Sequence, residues 1–305
     1  MRILVLGAGG VGGYFGGRLA SAGVDVSFLV RPARAKRLSQ TGLVISSPLG
    51  DLREPLRILT EVNTAFDAVL LACKAYDLDA AIDAISPAVG PSTLIVPLLN
   101  GIRHLERLDS CFGREHVLGG LCHIGVTVGD AGEIQHLNEL ERIVFGARTE
   151  RQIKGTEDLH LVLSRGGFNP GLSEMVMQEM WEKFVFLATY AGMTTLMRAP
   201  VGAIVATQEG EAIIREMMEE CTATAAASGY APRVGAMRSM VDSLTERGSK
   251  GTASMYRDMV DSKRTEHEHI LGDMLERARA ANVPAPLLRI SLTNMQAYDQ
   301  ERAAS

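Results

Sequence analysis

Five short stretches of the chain carry residue types that could do chemistry. In WEKFVFLATYAG, residues 181 to 192, Lys183 is the single cation in a run of mainly apolar and aromatic residues with helical periodicity. Taking a lysine out of water costs on the order of several kcal/mol unless it is partnered or reaches solvent. A lysine held there can donate a proton, and supply positive charge, as a carbonyl accepts hydride and becomes an alkoxide. The plainer account is that it snorkels past its aromatic neighbours to water.

GAGGVG, residues 7 to 12, follows the run RILVL and opens a helix, the context in which GxGxxG spacing indicates a dinucleotide site. Gly7 permits the tight turn, Gly9 lets backbone approach a pyrophosphate, and Gly12 lets helix and strand close together. The amides at the helix start, those of Gly10 and Val11 included, then face the phosphates. The second strand, DVSFLVR, ends in Arg31, with Arg34 and Lys36 close behind; Asp25 lies at its start, so no carboxylate occupies the position that reads a ribose 2′-hydroxyl. NADP(H) is therefore the expected cofactor; the alternative is that Arg31 is a solvated surface charge. At the ends of the third and fourth parallel strands stand Lys74, in ACKAYDL, and Asn100, in PLLNGI. Lys74 either reaches the adenosine phosphate or pyrophosphate or solubilises its loop. Asn100 either hydrogen-bonds the nicotinamide ribose or the substrate or, with Gly101, makes a turn.

The elements that must position these residues are of two kinds. Up to about residue 170, short β-type runs alternate with helical pieces, through DAVLLACK, STLIVPLLNG and HVLGGLCHIGVTV, which implies a parallel sheet. LVISSPLGDLREPLRILT interrupts it as a hairpin turning at Pro48 to Asp51. From Ser173 onward only helical periodicity appears, each segment closed by Gly, Asn or Pro. SRGGFNPG marks the join, giving an α/β fold: a Rossmann-type parallel-sheet domain over 1–170 and an all-α domain for substrate and dimerisation over 171–305.

The 305 residues, 46% hydrophobic with net charge -5, suffice for two such cores. Lysines and arginines are scattered, leaving no footprint for nucleic acid or an anionic membrane. The four cysteines are far apart without CxxC spacing, as in reduced thiols of a cytoplasmic protein, and no apolar run approaches the roughly 20 residues of a membrane helix. A small molecule, and a second copy in a homodimer, are the expected partners. His267 and His269 in HEH point about 200° apart on a helix, so no metal site is expected.

Taken in order, GAGGVGGYFGGRLASAG, Arg31, CKAYDL, LLNG, WEKF and SMYRDMVDSKRTEHEHILG resemble the ketopantoate reductase (2-dehydropantoate 2-reductase) family along nearly the whole chain. The resemblance implies NADPH held between a Rossmann and a helical domain, reducing a 2-keto acid to a 2-hydroxy acid. It implies Lys183 as general acid, Arg31 and Lys74 on the 2′-phosphate, and Asn100 near the nicotinamide ribose and substrate. Ser254 would bind substrate, and Glu266 would engage substrate, cofactor and Lys183.

The chain departs from that pattern where the family carries amides in its substrate pocket. Leu187 and Ala191 follow Lys183 on one helical face, Gly251 precedes the SM motif, and Leu271 stands in the YING-like segment. Leu187 and Ala191 would line the pocket, and the expected substrate is less hydroxylated than ketopantoate. Two rival readings are a dehydrogenase of the β-hydroxy acid type and a non-catalytic NADP(H)-binding sensor.

Overall fold

The computed structural model describes residues 1–304 and forms two compact units: Met1–Leu99 with His104–Val176, and Asn100–Arg103 with the chain from Met177 onward. In the first, strands β1 (Arg2–Leu6), β2 (Asp25–Leu29), β3 (Leu43–Ser46), β4 (Leu52–Glu54), β5 (Ile58–Leu59), β6 (Phe66–Leu71) and β7 (Val89–Pro97) precede β8 (Gly119–Val128), β9 (Ile134–Gly146) and β10 (Gly171–Leu172). Helices α1 (Gly10–Ser21), α2 (Pro32–Thr41), α3 (Leu78–Ile85), α4 (Arg103–Phe112) and α5 (Ile153–Leu163) connect them.

Five strands in the order β5-β2-β1-β6-β7 form a sheet in which every pair is parallel. The strands are near-continuous apolar runs, as burial on both faces requires; Ile3, Val5, Phe28, Leu70 and Val96 lie in one core with Phe15 and Leu19 of α1. The chain leaves β1 for β2 on one side and later returns to β6 on the other. The carboxyl end of β1 is therefore a topological switch point, and the glycine loop sits on it.

The hairpin over residues 43–54 forms as expected, pairing Leu43 with Glu54 and Ile45 with Leu52, but not within the parallel sheet. It joins β8, β9 and β10 in a second sheet, where β8 runs antiparallel to β9; of the run HVLGGLCHIGVTV only the start meets the first sheet, through a parallel bridge of Val117 with Ile95. The thirteen-residue β9 escapes a reading by apolar runs because only its ends are buried. Its middle, LNELE, faces water.

The second unit is helical: α6 (Val176–Met197) beyond its first residue, α7 (Val201–Val205), α8 (Gly210–Ala227), α9 (Val234–Leu244), α10 (Ser254–Val260), α11 (Asp273–Ala280) and α12 (Pro286–Ala304). Helix α8 packs against α7, α11 and α12. Its Glu220 also caps α12, accepting the Leu287 and Leu288 N–H groups on separate carboxylate oxygens at 2.9 Å each. Those amides have no partner inside their own helix, and a carboxylate is favoured at the positive end of the helix dipole. A π-helical turn, Glu268–Gly272, leads into α11. Among the described residues, no helix is long and apolar enough to cross a membrane.

Candidate active site

In the first unit the glycine loop has the form a dinucleotide needs. Gly7 takes φ +89°, and its N–H bonds the Leu29 carbonyl at 3.0 Å, tying the turn to β2. A Cβ at Gly12 would collide with the Gly7 carbonyl and press on Val5 of β1, so only glycine lets α1 start this close to the strand. A Cβ at Gly9 would meet nothing within 4 Å. Helix α1 has no side-chain cap and no acid in its first turn, so its leading amides, at Gly10 and Val11, carry no competing carboxylate. That combination fits an anionic pyrophosphate.

Arg31 is the N-cap residue of α2, and its guanidinium bonds Asp77 at 2.9 Å with the arginine side chain 75% exposed. Asp77 closes the 3-10 turn Ala75–Asp77, whose N-cap residue is the half-buried Lys74. Arg31 and Lys74 follow β2 and β6, the two strands that flank β1; sequence spacing gives no warning of the acid that bonds Arg31. Arg34 is committed elsewhere: one guanidinium nitrogen donates to the Ala8 carbonyl at 3.0 Å and the Gly132 carbonyl at 2.9 Å. Arg37 donates to the Asp130 carbonyl at 2.7 Å, so α2 ties the β8–β9 turn to the glycine loop.

In the second unit, α6 carries Lys183 directly after two strongly anchored residues. Trp181 stacks on Tyr230 at 5.5 Å and 16°, and the Arg277 guanidinium lies over the indole at 5.5 Å. Glu182, almost buried, accepts from Arg233 on both oxygens, at 2.8 and 2.6 Å, from the Arg233 N–H at 2.9 Å, and from Gln178 at 3.1 Å. Burial pushes its pKa up, but these hydrogen bonds prevail and hold the carboxyl below its ordinary value. Trp181 and Glu182 thus fix the rotation of α6, and Lys183 is half-buried beside them.

Asn100 and Gly101 belong to this second unit. Gly101 takes φ +76°, and a Cβ there would lie 3.1 Å from both the His269 ring and its carbonyl oxygen. The His269 ring is hydrogen-bonded to the Asn100 backbone, and Arg103 pairs with Glu276 at 3.1 Å. These contacts hold Asn100, itself half-buried, against the segment that follows the buried Glu266. His267 turns to Thr265 at 2.8 Å, so the two imidazoles of HEH serve different partners. His269 was missed as a site-forming residue; the glycine after Asn100 was the available signal.

The positions that depart from the family pattern differ in setting. Leu187 is half-buried, Ala191 and Leu271 are buried, and a Cβ on Gly251 would stand 2.9 Å from the Tyr190 hydroxyl. Ser254, exposed, opens α10 three residues later.

Comparison with known proteins follows the same two parts. The family model described as ketopantoate reductase PanE/ApbA matches residues 3–150, and the model of its C-terminal domain matches residues 175–299. An uncharacterized oxidoreductase of Bacillus subtilis strain 168, YkpB, is 36% identical over 99% of this chain and 100% of its own. A 2-dehydropantoate 2-reductase of Pyrococcus horikoshii is 26% identical over 94% of each chain. The crystal structure of 2-dehydropantoate 2-reductase from Geobacter metallireducens GS-15 superposes with TM-score 0.89 at 26% identity, covering 97% of this chain and 99% of that one.

Proposed function

This chain belongs to the ketopantoate reductase family, and on that premise we propose that it reduces a 2-keto acid to the 2-hydroxy acid with NADPH, Lys183 being the general acid. The coarser statement needs no proposal: it is an oxidoreductase of a family of nicotinamide-dinucleotide-dependent reductases. When bound, the reduced nicotinamide supplies a hydride to the keto carbon.

The chain's own residues do the rest. The amides at Gly10 and Val11 hold the pyrophosphate, together with the unobstructed backbone at Gly9. Arg31 and Lys74 take the adenosine 2′-phosphate. Asn100 orients the nicotinamide ribose and substrate, Ser254 and Glu266 bind substrate, and Glu266 also engages the cofactor and Lys183. As the carbonyl oxygen gains negative charge, the Lys183 ammonium stabilises it and delivers the proton that completes the alcohol.

One observation carries this reading. Between Met180 and Thr195, Lys183 is the only cation; its neighbour Glu182 is neutralised by Arg233, while Lys183 stays half-buried on a helix face otherwise formed by Phe186, Leu187 and Tyr190. A surface lysine would need no such anchoring of the two residues before it.

The test is oxidation of NADPH against a panel of 2-keto acids, with the product identified. The reading expects one 2-hydroxy acid formed per NADPH consumed with at least one member. NADPH bound tightly but never consumed would favour a non-catalytic sensor.

A further inference from the structure

From Met180 to Thr195 every side chain of α6 is buried except Lys183, Phe186, Leu187 and Tyr190, all half-exposed. Their spacing, i, i+3, i+4 and i+7, puts them in one stripe along the helix. The stripe begins at the lysine and ends about 10.5 Å along the axis at a phenol, by the rise per residue. Between them the floor is wholly apolar. The Phe186 and Tyr190 rings lie 5.3 Å apart at 30°, a contacting aromatic pair within the stripe.

The far end of the stripe meets a second element. The Tyr190 hydroxyl lies so close to Gly251 that a Cβ there would stand 2.9 Å away, so the phenol occupies space that a side chain at 251 would claim. The Gly251 carbonyl accepts the Val201 N–H at 3.1 Å, which fixes the segment, and Ser254 opens α10 just beyond. The stripe therefore runs from the candidate proton donor to the segment bearing the candidate substrate serine. Burial keeps Tyr190 a neutral phenol, against the opposite pull of the Arg257 charge.

We propose that this stripe is the floor under the substrate's side chain, that the substrate is a 2-keto acid with a branched-alkyl or aryl side chain, and that Leu187 and Tyr190 select it. This rests on the reading of Lys183 as proton donor. A hydroxyl on the substrate side chain would leave water for Phe186 and Leu187, which offer no hydrogen bond in return. An apolar group would cover both and reach the Tyr190 ring. Pocket contacts of this kind discriminate by roughly 10- to 100-fold.

The experiment measures kcat/KM with NADPH for two 2-keto acids of matched size, one apolar and one hydroxylated on the side chain. Wild type, Leu187→Asn and Tyr190→Ala are compared, each checked for folding by its melting transition. The apolar acid is expected to lead by at least about 10-fold in wild type. Leu187→Asn should shrink that ratio, mainly through KM, and Tyr190→Ala should shrink it as well, by removing the ring that the apolar side chain reaches. A lead for the hydroxylated acid, or variants that scale both substrates equally, overturns the assignment while leaving the catalytic reading intact. Turnover of neither acid, nor of any other 2-keto acid, by enzyme that binds NADPH overturns the catalytic reading itself.

Discussion

Glu182 grips Arg233 with both carboxylate oxygens, at 2.8 and 2.6 Å, one residue before the lysine on which the proposed chemistry depends. Arg233 is the N-cap residue of α9, so the pair ties α6 to the start of another helix and fixes the direction in which Lys183 leaves α6.

Replacing Glu182 by Gln keeps the shape but removes the charge. Hydrogen bonds to charged groups are worth about 1.5–3 kcal/mol each, and the loss is expected to fall in the upper half of that range because several bonds weaken together. Denaturant unfolding of Glu182→Gln checks it. kcat should fall as well, since Lys183 loses its anchor; a variant as stable and as active as wild type would show that the pair positions nothing.

Gly101→Ala tests the seating of Asn100. The left-handed backbone alone costs a β-carbon about 1–2 kcal/mol, and the His269 ring and carbonyl leave it little room. The variant should melt lower and turn over more slowly. Full activity at unchanged stability would mean that the Asn100 turn is not held as described.

The Arg31–Asp77 pair makes a prediction about nucleotide choice. A 2′-phosphate must compete with Asp77 for Arg31 and approach the aspartate's charge, whereas a 2′-hydroxyl need not. Asp77→Asn is expected to tighten NADPH binding by several-fold relative to NADH, and Arg31→Ala to weaken NADPH by about 10-fold with little effect on NADH. Equilibrium titration of cofactor fluorescence reads both. Unchanged ratios in both variants would contradict the placement of the 2′-phosphate at Arg31.

Acid should destabilise the helical unit through His267, which is buried, and His269, which is half-buried. Burial holds both imidazoles below the ordinary 6.5, against Glu266 for His269 and against Glu268 and Asp299 for His267; Arg103 and Arg277 for His269, and Arg264 and Arg302 for His267, push the same way as burial. The unfolded chain therefore binds protons at higher pH than the folded one. Their contribution is fully present above about pH 6.5 and is lost as pH falls from there towards the depressed folded values. Tm should drop between about pH 7.5 and pH 5.5, and the drop should shrink in the His267→Gln, His269→Gln double variant. An identical slope would contradict the assignment.

What the sequence made legible was whatever depends on local pattern. The parallel strands are contiguous apolar runs, the glycine loop is a spacing, and Lys183 is conspicuous because it is the wrong type for its surroundings. What stayed hidden depends on distant neighbours. The second sheet was missed because β9 has a charged middle, and because its partner β3 lies far away in the chain even though β8 precedes it by only a short turn. Nothing local to Asp77 announces its pairing with Arg31, 46 residues away. His269 looked like a decoy for a metal and instead packs against Gly101. In each case a short-range pattern gave the residue its type, and long-range packing gave it its task.

The central claim is that Lys183 supplies the proton. The most direct measurement is kcat of Lys183→Ala with the best 2-keto acid, alongside the NADPH dissociation constant of the same variant. The account predicts kcat lowered by at least about 10²-fold with NADPH affinity retained. A kcat within a few-fold of wild type would contradict it.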